Sequence, residues 1–252
     1  GCPSPDSIRQ FIEEPFVWPP ENDQWLLHAS TPYPGEGMYD YRIPLMKTQI
    51  EALFGTSPDE LDAFAWQSQC VQAEAKKFFI EFFRTGKWRR TGILWWNLRD
   101  GWPQFSDAVV DYYNRKKLAY DFIRCSQQPV LLAFREPVEG RLELVACNDT
   151  RSTAELSFTV TDARTGSVVL SGSKSADADA VTSLGFIEHD EAMQTMYWMR
   201  WDGHCGSGSN HYLAGKPAFD AMQYTAWLAQ GMSLPKLGQR QTDGDLNAQA
   251  RP

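Results

Sequence analysis

Apolar and polar positions follow two different periods along this chain of 252 residues. Up to about residue 127 the apolar residues recur at helical spacing, and beyond it short runs alternate as they do in strands. The longest helical pattern predicts a helix from Ser57 to Thr85. Ser57 is its expected N-cap and Pro58 its first helical residue. Glu60 completes a capping box, and Gly86 is the expected end signal.

The predicted long helix has an apolar face and a polar face. The apolar face is formed by Leu61, Phe64, Ala65, Ser68, Val71, Ala75, Phe78, Phe79 and Phe82. The polar face is formed by Glu74, Lys77, Glu81 and Arg84. We expect the apolar face to pack on the protein core, with the charged residues on the opposite side.

Two shorter helices are predicted in the same half of the chain. One has Ser4 as its N-cap and Pro5 as its first residue, and it stops before Pro15. The other runs from about Tyr113 to Cys125. Residues 15–44 are rich in proline, glycine and aromatic residues, and this pattern predicts a long loop. Such a loop is either a functional lid or a packed surface belt.

The second half of the chain predicts antiparallel β-structure. The expected strands are Pro129–Phe134, Arg141–Cys147, Ala154–Thr161, Ser167–Leu170, Ala180–Ile187 and Thr195–Trp201. The residues from Asp162 to Gly166 predict a hairpin turn. So many short strands in about 100 residues are typical of an immunoglobulin-like sandwich, although the Cys-Trp-Cys spacing of antibody domains is missing. Residues 231–252 are polar and rich in glutamine, which predicts a disordered tail.

One short apolar run, Ile93–Leu98, is central to the prediction. It has the length and character of a strand that is buried on both faces, as in a parallel sheet. Because side chains alternate along a strand, Trp95 and Trp96 must point opposite ways. A strand that ends in Trp-Asn-x-Arg-Asp suits the floor of a site for a polar ring such as a sugar. The alternative is a core strand that ends in a polar turn.

Composition excludes some classes of function and leaves others open. The net charge is −8 and the pI is about 5.1, which argue against a nucleic-acid or anionic-membrane partner. No apolar run approaches the roughly 20 residues that span a bilayer. The five cysteines show neither a disulfide framework nor a zinc pattern, and His204 and His211 lack metal-ligand spacing. No metal site is therefore expected.

The chain begins at Gly1 without Met or a signal peptide, so its natural N-terminus is expected elsewhere, and both cytoplasmic and secreted locations stay open.

The motif G-I-L-W-W-N-L-R-D-G-W-P, followed by V-V-D-Y-Y-N-R-K-K-L-A-Y, resembles the end of the catalytic barrel of glycoside hydrolase family 2. The β-mannosidase-like branch is most similar, with G-x-L-x-W-x-x-N-D-x-W-P and then D-Y-Y-x-x-x-K. Arg99 stands where that branch usually has Asn. The resemblance implies that residues 1–127 are the C-terminal portion of a (β/α)8 TIM barrel. Residues 128–230 would then be the immunoglobulin-like sandwich that follows, so the fold class is α/β plus all-β.

The resemblance also implies a chemistry, which is retaining hydrolysis of β-linked sugars by two glutamates without a cofactor. The nucleophile is expected just upstream of Gly1 and the acid/base much further upstream, so that this chain alone is inactive. The implied partners are a carbohydrate substrate and upstream domains of the same parent chain. The implied sugar-binding residues are Trp96, Asn97, Arg99, Asp100 and Trp102. Trp96 would be the platform under the sugar.

Several alternatives stay open at this point. Asp100 either shapes the mouth of the sugar site or only fixes its own loop through backbone hydrogen bonds. A β-galactosidase, β-glucuronidase or exo-glucosaminidase would share the same end of the barrel. A non-catalytic module that binds carbohydrate, or a purely structural sandwich, is a different class of function.

Overall fold

The computed structural model describes residues 1–29, 39–204 and 206–234 of the chain. Most of the helices come first and most of the strands follow, as expected from the change of period near residue 127. The helices are α1 (Pro5–Ile8), α2 (Asp23–Leu27), α3 (Arg42–Phe54), α4 (Leu61–Thr85), α5 (Leu118–Ser126) and α6 (Ala221–Leu228), with a 3-10 turn at Glu14–Phe16. The strands are β1 (Val130–Phe134), β2 (Arg141–Asn148), β3 (Ala154–Asp162), β4 (Val168–Ala176), β5 (Ala180–Glu188), β6 (Thr195–Gly203) and β7 (Gly208–Ala214).

The strands form two antiparallel sheets with a shared core. One sheet has the order β1-β2-β5, and the other has the order β4-β3-β6-β7. Buried residues of both sheets, such as Leu131 and Leu144 of the first and Val160 and Met199 of the second, belong to one apolar cluster. The prediction of helices followed by antiparallel β-structure is therefore confirmed.

Each of the six predicted strands is present, with β4 longer than expected. The hairpin turn at Asp162–Gly166 is also confirmed, because the Gly166 amide donates to the Asp162 carbonyl at 2.8 Å. Gly166 has a φ of 73°, which a residue without a β-carbon adopts at little cost. The residues predicted as a tail are described only from 231 to 234, and positions 235–252 lie outside the described residues.

Helix ends agree with the sequence in part. Ser4 caps α1 as predicted, since its hydroxyl accepts from the Ser7 amide at 3.3 Å. The long helix α4 ends at Thr85, but it begins at Leu61 instead of Pro58. Glu60 is extended, with φ −125° and ψ 142°, so it takes the capping position and the capping box does not form.

Two further predictions about helices were wrong. The helix expected from Tyr113 begins only at Leu118, because the Asp111 carboxylate accepts from the Arg115 amide and holds a turn there. The expected loop of residues 15–44 contains α2 and the start of α3, and its positions 30–38 lie outside the described residues.

The apolar run Ile93–Leu98 is not a strand in the structure, and this corrects the prediction of a strand buried on both faces. Leu94 is fully exposed, and 72% of Trp96 and 59% of Leu98 are exposed. A buried strand needs hydrogen-bonded neighbours on both sides. The described part of the chain supplies only a short parallel contact, in which the Val110 amide donates to the Leu98 carbonyl at 2.9 Å.

The polar face of α4 is also placed differently from the prediction. Lys77 and Glu81 are 4% and 5% exposed and face the sheets, whereas 42% of Phe78 and 52% of Phe79 are exposed. Glu81 accepts from Lys77 at 2.8 Å, from Ser126 at 3.0 Å and from Asn210 at 2.9 Å. We call these four residues the Glu81 network. It joins α4, the end of α5 and β7.

A second, partly buried contact joins α4 to β7 and to α6. The Glu74 carboxylate accepts from His211 Nε2 at 2.9 Å and from the Tyr224 hydroxyl at 2.7 Å. Burial by itself raises the pKa of Glu74, but the charge of His211 and these hydrogen bonds outweigh burial and hold that pKa below its usual value of 4.5.

The depressed pKa of Glu74 predicts a pH dependence of stability. An acid whose pKa is lower in the folded state stabilises the fold above its unfolded pKa, and this contribution is lost as the pH falls through the folded pKa. We therefore expect the free energy of unfolding to decrease as the pH is lowered below about 4.5. Urea titrations at several pH values should show a shallower fall for Glu74→Gln. If the free energy of unfolding of Glu74→Gln decreased as steeply with falling pH as that of the wild type, this assignment would be contradicted. Glu51→Gln is the control, because Glu51 is exposed.

Candidate functional site

Backbone hydrogen bonds hold the segment from Asn97 to Lys117 in a compact double turn. The Val109 amide donates to the Asn97 carbonyl at 3.2 Å, and the Asp100 amide donates to the Val110 carbonyl at 3.1 Å. On its other side Val109 accepts from the Lys117 amide at 2.8 Å. The five predicted site residues therefore lie along one arm of this double turn or directly beside it, with Trp96 just before the arm and Trp102 just after it.

Asp100 is buried inside the double turn. Its Oδ1 atom accepts from the Ser106 hydroxyl and from Gln104 Nε2, the latter at 2.9 Å. Burial raises the pKa of Asp100 above its usual value, and the charge of Lys117 opposes that rise. The observed contacts are those of a residue that fixes the loop from 100 to 106. Its second oxygen, Oδ2, is buried without a protein partner.

Lys117 lies behind Asp100 and was missed as a site residue. It is 1% exposed, and its Nζ atom donates to the Gly1 carbonyl at 2.7 Å and to the Ser106 carbonyl at 3.4 Å. Burial lowers the pKa of this amine, while the charge of Asp100 raises it. Lys117 is the last residue of the D-Y-Y-x-x-x-K motif, so a signal for it was present in the sequence.

The first residue of that motif, Asp111, is buried as well. Its carboxylate accepts from the Ser7 hydroxyl at 2.5 Å and from the Arg115 amide at 2.8 Å. The Arg115 guanidinium donates to the same Ser7 hydroxyl at 2.8 Å. These contacts attach α1 to the double turn and fix its position.

The two adjacent tryptophans lie in different environments, as strand-like alternation predicted. Trp95 is half-buried against the helical core, and the Lys76 amine lies 5.1 Å from its ring centre. Trp96 is mostly exposed, and its backbone carbonyl accepts a hydrogen bond from Lys76 Nζ at 2.9 Å. Trp96 therefore presents an open aromatic face.

The other predicted residues surround the double turn without converging on one point. Trp102 stacks on His28 with ring centres 5.4 Å apart. Arg99 is exposed and donates to the Tyr112 carbonyl at 3.2 Å. Asn97 is half-buried, and its Oδ1 atom has no protein partner.

This arrangement offers an aromatic face and polar groups next to it. Asp100 is turned inward, and among the described residues no cluster of three or more His, Cys, Asp or Glu side chains is placed to hold a metal ion. No helix among the described residues has the length and apolarity needed to cross a membrane. The geometry therefore suits contact with a ring-shaped ligand more than acid–base chemistry by this segment alone.

Comparisons with known proteins place these observations in context. No protein-family model matches the chain. β-Mannosidase B of Aspergillus terreus is 32% identical over 122 residues, which are 41% of this chain and 14% of that protein. β-Mannosidase B of Thermothelomyces thermophilus is 34% identical over 80 residues, 29% of this chain and 9% of that protein. The chain thus spans a small part of the curated relatives it matches.

Solved structures share the fold over most of the chain. The β-D-mannosidase of Dictyoglomus thermophilum has a TM-score of 0.70 at 20% identity, covering 86% of this chain and 26% of that one. The exo-chitosanase CsxA of Amycolatopsis orientalis, in complex with PNP-β-D-glucosamine, has a TM-score of 0.64 at 16% identity with the same coverage. The chain is thus β-mannosidase-like: in sequence and in fold it resembles a segment of the enzymes of glycoside hydrolase family 2.

Proposed function

We propose that this chain is the C-terminal portion of a retaining glycoside hydrolase that cleaves β-linked sugars, most like a β-mannosidase. The observation that carries the proposal is the sequence similarity to β-mannosidase B over 122 residues. The fold shared with a β-D-mannosidase supports it. Residues 1–127 then complete a (β/α)8 barrel, 128–230 form an immunoglobulin-like sandwich, and 231–252 are a tail.

In this proposal the exposed run at Ile93–Leu98 is the eighth strand of the barrel, and it pairs with strands that other parts of the parent protein supply. Its exposure supports this placement, because large apolar side chains are unfavourable in water and unpaired backbone groups are available to pair with a neighbouring strand. Burial of this run in the barrel would leave Trp96 at the mouth.

Trp96 is the proposed platform for the sugar, since an indole packs well against the C–H face of a pyranose. Asn97, Arg99 and Trp102 are the proposed polar and aromatic rim of the same site. Asp100 shapes the mouth from behind, through the loop that it fixes.

The reaction is a double displacement by two glutamates, one as nucleophile and the other as acid and then base. We propose that both lie outside this chain. Support comes from two described glutamates of α4 that are already engaged: Glu81 is buried in an ion pair with Lys77 of the same helix, and the partly buried Glu74 is paired with His211 of β7. The partners are a β-linked carbohydrate and the upstream domains of the parent, and no cofactor is proposed.

The test compares this chain with the longer protein that carries it. With p-nitrophenyl β-D-mannopyranoside we expect turnover by the longer protein and only background hydrolysis by the 252-residue chain. Hydrolysis by the chain alone at a normal rate would overturn the placement of the catalytic pair. An exo-glucosaminidase, the candidate that the likeness to exo-chitosanase raises, would instead prefer the β-D-glucosaminide.

Substitution of the proposed platform tests the site. In the longer protein Trp96→Ala should lower kcat/KM about tenfold or more, because loss of an aromatic contact is worth about 1 kcal/mol beyond the lost area. Phe186→Ala is the control, as Phe186 is an exposed aromatic residue of β5. Equal kcat/KM for Trp96→Ala and the wild type would remove Trp96 from the site.

A further inference from the structure

A second cleft lies away from the candidate site, where the end of α4 meets the loops of the sheets. Its volume is about 560 Å³, and its walls include Arg84, Lys87, Trp88, Asp149 and Asp179. We call it the Trp88 cleft. Gly92 and Ile93, at the start of the run that leads to Trp96, also line this cleft, whereas Trp96 itself does not.

Trp88 is the most exposed aromatic residue of this cleft, with 70% of its surface open. Its φ is 69°, a left-handed conformation that is unfavourable for a bulky residue. The indole Nε1 atom donates to the Asp179 carbonyl at 3.3 Å, which fixes the ring beside the cleft. A strained backbone that presents an exposed indole is a feature associated with binding sites.

Four of the five charged side chains that line the cleft are paired with one another, and the fifth, Arg90, donates to the Phe82 carbonyl at 3.0 Å. Lys87 contacts the carboxylates of Asp149 and Asp179, each at 2.7 Å, and Arg84 contacts Asp149 at 2.8 Å. An anionic ligand would have to displace these carboxylates from their cations. A neutral ligand with hydroxyl groups would not, because the half-exposed carboxylates keep free lone pairs that accept hydrogen bonds.

We propose that the Trp88 cleft binds a neutral oligosaccharide, with one sugar ring stacked on Trp88 and its hydroxyls donating to Asp149 and Asp179. Stacking on an indole together with hydrogen bonds to fixed carboxylates is the chemistry that such a ligand requires. This site goes beyond the proposed function, since it needs neither the catalytic pair nor Trp96. Its role is to hold a polymeric substrate at a distance from the reaction.

The test measures binding of β-1,4-mannohexaose to the longer protein by isothermal titration calorimetry, after the catalytic nucleophile has been trapped as a covalent 2-deoxy-2-fluoro-mannosyl ester and the excess inhibitor removed. We expect Trp88→Ala to weaken the residual binding at least tenfold, and Asp149→Asn and Asp179→Asn to weaken it less. Phe186→Ala should bind as the wild type does.

The outcomes separate this site from the catalytic one. Loss of binding in Trp88→Ala with unchanged hydrolysis of a p-nitrophenyl monosaccharide supports the cleft. If Trp96→Ala loses the residual binding of the oligosaccharide and Trp88→Ala binds it normally, the proposal for the Trp88 cleft is overturned and the proposed function stays intact. Absence of residual binding in the wild type, or an indole at Trp88 that the rest of the parent protein shields from acrylamide, also overturns it.

Discussion

Replacing Glu81 by leucine should lower the free energy of unfolding by about 3–5 kcal/mol, because removal of one partner of a buried ion pair leaves the other charge uncompensated. The Lys77 amine, which lies 2.8 Å from the Glu81 carboxylate in the wild type, would then be buried without that partner. Ser126 and Asn210 would each lose an acceptor as well. Urea unfolding followed by circular dichroism measures the difference.

The double variant Lys77→Met with Glu81→Leu separates charge from packing. Removal of both charges leaves no unpaired ion, so this variant should be clearly more stable than Glu81→Leu alone. Asn210 keeps its bond to the Leu132 carbonyl at 2.8 Å in both variants. A loss below about 1 kcal/mol for Glu81→Leu would show that the Glu81 network does not hold the helices to the sheets.

Lys117→Met is the second change with a large expected effect. It removes the buried charge next to Asp100 and the hydrogen bonds to the Gly1 and Ser106 carbonyls. We expect a loss of about 2–4 kcal/mol at neutral pH, because a buried carboxylate without a neighbouring cation is unfavourable. Thermal unfolding, with the exposed neighbour Lys116→Met as control, tests this.

The effect of Lys117→Met should depend on pH in a defined direction. The pKa of Asp100 is already raised by burial, and loss of Lys117 raises it further. Protonation of Asp100 removes the unpaired charge, so the variant should lose less stability at acid pH than at neutral pH. Adding Asp100→Asn should recover part of the loss at pH 7. A loss that is equal at both pH values would mean that Lys117 acts only through its carbonyl contacts.

Local patterns in the sequence were sufficient for most of the β-structure. In β3 the burial alternates along Ala154–Asp162 as its sequence does, and the turn at Asp162–Gly166 has its own glycine and aspartate. Such features depend on neighbours two to four residues away, which the sequence displays directly. For the same reason Ser4 was correctly placed as the cap of α1.

Contacts between distant segments were not predictable from those patterns. The polar side of α4 carries Glu74 and Glu81, which at the level of one helix look like solvent-facing residues. The fold places them against β7 and α6, where His211, Asn210 and Tyr224 supply the partners. These partners lie more than 120 residues away along the chain.

By itself the sequence determined the change from helices to strands near residue 127, six of the seven strands, the hairpin turn at Asp162–Gly166, and the motif around Trp96 and Asp100. Tertiary structure alone decided that Ile93–Leu98 stands exposed, that Asp100 turns inward to Ser106 with Lys117 behind it, and that α4 buries its charges. The physical reason is that burial depends on what lies opposite a residue in space. Periodicity along the chain reports which residues share a face, but not which partner that face meets.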